Sequence, residues 1–177
     1  MKRLLLLPVL LGAAVLIAGV YGVLHNQVSY VVGPSYFHDF KFIQFDIAST
    51  FQNRIGAAWV GWQASWWMGV IIGGPILLLG ARMKDARAFV IAYTQAAAIV
   101  LLTALVFGSG ALIYAIGSVT ETSLPPWMSD LVVNDPVGYG RAGWLHLGTY
   151  FGGFIGLLIG MAYMQVRAYW HAKKVLA

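Results

Sequence analysis

Four apolar stretches, each long enough to cross a lipid bilayer, constrain this chain more than anything else in it. They cover about residues 4–24, 56–80, 88–110 and 144–166. A helix needs ~20 predominantly apolar residues to cross a hydrocarbon core ~30 Å thick. The expected fold is therefore all-α: a polytopic membrane protein with four transmembrane helices in a single domain over residues 1–177.

Composition agrees. The chain is 60% hydrophobic and only 10% charged, against roughly 25% charged residues in a soluble domain. Four spans use about 80 residues. Short tails and two connecting loops, 25–55 and 118–143, take up most of the rest, with no room for a separate soluble domain.

The charges sort by junction. Lys2 and Arg3 precede the first stretch, Arg82, Lys84 and Arg87 separate the second from the third, and Arg167, Lys173 and Lys174 follow the fourth. These are eight of the eleven basic residues. The other two connections hold Asp39, Asp46, Glu121, Asp130 and Asp135, five of the six acidic residues. Basic residues collect on the cytoplasmic side, so both termini are expected there and loops 25–55 and 118–143 outside. The expected location is a bacterial inner membrane.

The net charge of +5 is not a nucleic-acid footprint, because the basic residues hug span edges and form no patch or motif. There are no cysteines, which removes disulfides, thiolate metal sites and thiol catalysis together. Met1-Lys2-Arg3 before an apolar run resembles the start of a signal peptide. The run is longer than the usual 7–15-residue core, and Ala18-Gly19-Val20 is a poor cleavage site. An uncleaved anchor is expected.

Several local features refine this outline. Gln27–Val32 is rich in strand formers. Gly33-Pro34 breaks it, and Ser35 then caps a short helix through about Phe45. Tyr36, Phe37, Phe40, Phe42 and Phe45 make that segment aromatic, suited either to lying flat on the outer interface or to plugging the helix ends. Span 2 carries Ala57, Gly61, Ser65, Gly69 and Gly73 at four-residue spacing, a row that admits another helix closely. Gly108-Ser109-Gly110 is expected to kink or end span 3. Asp135-Pro136 and Gly138-Tyr139-Gly140 are expected to form turns.

The most specific constellation is on span 4. His146, Thr149, Gly153, Gly156 and Gly160 recur at spacings of three and four, which puts them on one helix face. The glycines mark a packed face, so His146 is expected to point into the bundle, where an ionisable group is a functional candidate. His25 and His38 lie on the same side of the membrane. The three histidines are the candidate ligands for a divalent metal or a haem, since imidazole suits zinc, copper and iron. No HExxH or CxxCH motif supports such a site. No catalytic residue is assigned: there is no phosphate-cradling glycine loop and no Ser-His-Asp relay. His171 is expected to be a solvated tail residue. Transport needs polar groups near the midplane, and only Gln63 and Gln95 qualify, at different depths.

The segments His25–Tyr30, Pro34–Phe37, Phe40–Phe45, Arg54–Ala58 and Ser65–Gly69 resemble small bacterial tetraspan inner-membrane proteins. The resemblance covers about the first half of the chain and implies no activity. Claudin-like tetraspans share two outer loops, but their paired-cysteine pattern is missing. The expected function is a non-catalytic membrane subunit that packs in the bilayer with itself or with a larger membrane complex. The alternatives are an outward-facing metal- or haem-binding redox protein using His146 with His25 or His38, and a small-solute transporter or channel subunit.

Overall fold

The computed structural model describes residues 5–176, with side chains through residue 173. Lys2 and Arg3 therefore lie outside the described residues, as does the side chain of Lys174. The chain is helical almost throughout. Helix α1 is Leu6–Val32. A short plug follows, made of α2 (Pro34–Tyr36), a π-turn over Phe37–Lys41 and α3 (Phe42–Gln44). Then come α4 (Arg54–Ser65), α5 (Met68–Gly80), α6 (Ala86–Ser118) and α7 (Pro136–Leu176). Four helical stretches are long and apolar enough to cross a membrane: Leu6–Val32, Arg54–Gly80, Ala86–Ser118 and Pro136–Lys173.

The second stretch is tightened between α4 and α5, where the Gly69 and Val70 N–H groups bond three residues back to Trp66 and Trp67. Helix α1 packs along α4 and α5, α6 along α7, and α5 and α1 also touch α7. Helices α1 and α6 do not pack closely against each other.

Backbone approach, made possible by glycine, holds the first pair. A Cβ at Gly61 would collide with the Gly22 carbonyl, and a Cβ at Gly22 with the Gly61 carbonyl and Ser65. Two turns on, a Cβ at Gly69 would strike the Ala14–Val15 backbone, and one at Gly73 would crowd Ala14 and the Tyr93 ring. In the second pair, Gly148, Gly152 and Gly156 press on Phe107–Ala111, Thr103–Ala104 and Val100–Thr103 of α6, and Gly160 meets Ile76 and Ala96. Small residues at interfaces let helices gain dispersion contacts where lipid offers no hydrophobic drive. The sequence reading passed over Gly148 and Gly152, although 148, 152, 156 and 160 form a strict four-residue row. Gly153 departs from the expected packed row: a Cβ there would meet nothing within 4 Å, because it borders a cavity of about 140 Å³ between the four long helices.

Several local expectations are corrected. Gln27–Val32 continues α1 instead of forming an extended segment. Its register is fixed by side chains bonded to the first turn of α4, with Asn26 Nδ2 donating to the Ala57 carbonyl (3.0 Å) and Gln27 Nε2 to that of Arg54 (3.0 Å). Ser35 does not cap the plug helix; Pro34 starts it, and the Ser35 hydroxyl donates to the Asp135 carbonyl. Helix α6 runs unbroken through Gly108-Ser109-Gly110 for 33 residues, about 50 Å at 1.5 Å per residue. Gly108 receives the Thr149 side chain instead of ending the helix. Gly138-Tyr139-Gly140 lies in the first turns of α7, which Asp135 caps by accepting the Gly138 N–H at 2.9 Å. His171 is not a free tail residue, since its Nε2 accepts the Asp85 N–H at 3.4 Å. Nearby, Arg82 donates to Gln165, and Tyr163 to Gln95.

The plug closes one end of the bundle. Phe37 and Phe42 are fully buried, against a cluster that includes Val60, Met128, Tyr139 and Ala142. A π-turn adds a residue per turn, which brings positions 37 and 42 to the same side. Phe40 and Ile43 face outward. Asp39 clamps the loop before α7, accepting the Asn134 N–H at 2.8 Å and its side-chain amide at 2.5 Å. Of the two roles considered for this aromatic segment, the structure gives it that of a plug.

The glycine contacts make a direct prediction. Gly61→Val forces α4 away from α1 and is expected to lower stability by about 1–3 kcal/mol, as overpacking does. Gly110→Ala, where an added Cβ meets nothing within 4 Å, is expected to be neutral or to stabilise by up to ~1 kcal/mol through helix propensity. Thermal unfolding in detergent reads both.

Candidate functional site

Beneath the plug, α1 and α7 bring polar side chains together. Asn26 bonds to α4, and Ser29, three residues further along α1, faces α7. There the Ser29 Oγ and His146 Nε2 lie 2.9 Å apart, both buried. The Tyr36 ring of the plug stacks on the His146 imidazole, with centroids 4.8 Å apart and planes at 23°. His25, one turn before Ser29, meets the same imidazole edge to face at 4.6 Å. On its other side His25 stacks on Tyr21 at 5.8 Å. Burial, with smaller contributions from Tyr150 and Tyr139, raises the Tyr36 phenol far above its ordinary pKa, so it stays neutral.

The structure thus brings His146 and His25 together. It places His38 elsewhere: its Nε2 is 3.1 Å from the Tyr30 hydroxyl, and its ring lies edge to face on Phe42. Lys41 lies over the Phe40 ring, with Nζ 4.4 Å from the centroid, and donates to Gln44. Burial lowers its pKa. Sequence reasoning missed Ser29 and Tyr36. The i, i+4 spacing of His25 and Ser29 signals one face of α1, but only once the helix is known to continue past Leu24.

What this cluster can do chemically is limited by its geometry. Among the described residues no three His, Cys, Asp or Glu side chains converge as a metal site. Two imidazoles ligating one haem iron from opposite sides, with bonds of about 2 Å, would have centroids roughly 6 Å apart and a porphyrin between them. His25 and His146 touch directly at 4.6 Å. Ser29 and His146 form a hydroxyl–imidazole pair, and Ser29 is 0% exposed. The pair ties α1 to α7.

Two polar atoms beside the cluster are left over. His25 Nε2 and Thr149 Oγ1 are buried without a hydrogen-bond partner. The Tyr21 hydroxyl approaches Thr149 without satisfying hydrogen-bond geometry. Buried polar atoms without partners are uncommon and mark places where something else belongs.

The class these features define is a four-helix chain with the length and apolarity of a multi-pass membrane protein, carrying a sealed His–Ser–Tyr cluster under a helical plug. No known protein family, curated protein or solved structure matches it.

The Ser29–His146 bond can be tested by coupling. Ser29→Ala leaves His146 Nε2 buried and unpartnered, and is expected to cost about 1–3 kcal/mol. Adding His146→Phe removes that nitrogen, so the double variant should be less destabilised than the sum of the two single ones. Additive losses in thermal unfolding would show that the bond is not the coupling.

Proposed function

We propose that the protein is a non-catalytic subunit of a bacterial inner membrane, crossing it four times with both termini in the cytoplasm. Its plugged end faces outward and meets a second copy or a larger membrane complex. The charge distribution supports the orientation. Arg82, Lys84, Arg87, Arg167 and Lys173 stand at the end opposite the plug, where the positive-inside rule expects cytoplasm. The sealed state of Ser29 supports a non-catalytic role.

The observation that carries the reading is the apolar cap on the plugged end. The Tyr114 and Trp144 rings meet edge to face at 5.3 Å, at the level where an aromatic belt would sit. Trp127 packs over Gly143 and near Tyr139, on the plug side of that level. The chain then continues through Leu131, half exposed, to Val132, 100% exposed. Apolar side chains presented together beyond the bilayer are the signature of an interaction surface. The small-residue rows offer no second surface of this kind, because Gly61, Ser65, Gly69, Gly73, Gly156 and Gly160 are occupied by contacts within the chain.

Photo-crosslinking in cells from a benzoylphenylalanine at position 132 tests this, together with the mass of the complex in mild detergent. A discrete adduct and a mass above the monomer are expected. A lone monomer with no adduct overturns the reading.

A further inference from the structure

The flank between α1 and α6 is open. A groove of about 630 Å³ runs there, floored by Leu145 and Thr149 of α7. That volume lies within the 300–1,000 Å³ common for small-molecule sites. From Leu16 to Val28 its α1 wall extends twelve residues, about 18 Å along the helix. Its lips, including Val20, Leu24, Leu102 and Leu105, are exposed on the side a bilayer would cover.

Most of the groove is aliphatic, including its plug-side end at Val28, Leu112 and Leu145, but one stretch partway along it is not. There Tyr21, His25 and Thr149 line it, with Ser109 of α6 across from them. Thr149 is only 8% exposed, and its Oγ1, like His25 Nε2, has no hydrogen-bond partner. The groove therefore has an aliphatic tail region and a head region with two unpartnered polar atoms buried just behind its wall, which a side-chain rotation at His25 and Thr149 would turn toward a bound head. No Lys, Arg, Asp or Glu lines it, so nothing there compensates the phosphate of a phospholipid. The head it suits is uncharged. Tyr21, stacked on His25, gives that stretch a flat aromatic wall, which favours a planar ring over a flexible alcohol.

We propose that this groove binds a membrane-dissolved quinone, its ring at Tyr21 and its tail lying between α1 and α6. One carbonyl oxygen accepts from the Nε2–H tautomer of His25, and Thr149 donates to the same head. The step is binding alone, with no electron or proton transferred. The two leftover atoms gain partners, which removes the cost of burying them unpaired. The groove is separate from the apolar cap, so this inference stands or falls independently of the proposed subunit role.

The test uses the full chain in phosphatidylcholine nanodiscs with decylubiquinone as the probe, and reads retention above that of empty discs. Saturable, stoichiometric retention is expected. Thr149→Val should weaken it roughly tenfold, the order expected for one lost hydrogen bond. Leu105→Trp changes an exposed lip residue and leaves the polar atoms in place, so it tests the groove without disturbing the fold; it should abolish retention. His38→Ala should change nothing. Retention equal to empty discs overturns the proposal, as does retention unaffected by Leu105→Trp. Equal displacement of the probe by added phosphatidylglycerol also overturns it, since the groove would then be a slot for ordinary lipid.

Discussion

The bundle depends on two backbones touching. Gly22 and Gly61 each present a carbonyl where the other's Cβ would be, so α1 and α4 meet at a distance no side chain permits. Between apolar helices in lipid, hydrophobic burial supplies little preference, and close packing has to supply it. This contact also sets rotation and register. One turn beyond Gly22, the Asn26 amide lands on the Ala57 carbonyl. Almost a further turn on, Ser29 reaches His146 across the bundle. A shift of one residue along α1 would move all three groups to other faces, so the polar cluster follows from the glycine contact.

The plug shows how local chemistry serves the same cluster. Proline begins it, where a missing N–H costs least, and the π-turn swings Phe37 and Phe42 onto one side. Tyr36 is thereby set flat over His146. Asp46, at φ 50°, ends the segment in a left-handed conformation that aspartate tolerates better than most residues. The plug is thus positioned by its own backbone as much as by what it covers, and it seals the buried His146 imidazole.

Much of this was legible in the sequence, and the limits have physical causes. Apolar runs marked the four long helices, because lipid crossing imposes length. The row from Ala57 to Gly73 marked a close face, because only small side chains allow one. Helix ends were less legible. Gln27–Val32 has strand-forming residues yet stays helical, since Asn26 and Gln27 are held by α4, a tertiary cause invisible in a local window. Gly108-Ser109-Gly110 looks like a break but marks where Thr149 approaches. The pairing of His25 with His146 required both the longer α1 and the register set by Gly22. His38 shares their side of the chain but not their place, because the π-turn directs it toward Tyr30 and Phe42.

The plug's fastenings come from far along the chain. Ser35 bonds to residue 135, Asp39 to residue 134, and Gly33 packs on Gly138. A ribosome delivers these segments in order, so residues 33–45 emerge roughly a hundred residues before their bonding partners at 134 and 135 exist. Until α7 is made, Phe37 and Phe42 have only the α1 and α4 part of their cover, from Tyr30, Ala57 and Val60, and lack that of Tyr139 and Ala142. Closure of the plug is therefore among the last events of biogenesis. A chain truncated before α7 would leave part of the aromatic segment uncovered, the kind of exposed apolar surface that makes incompletely folded chains prone to aggregate.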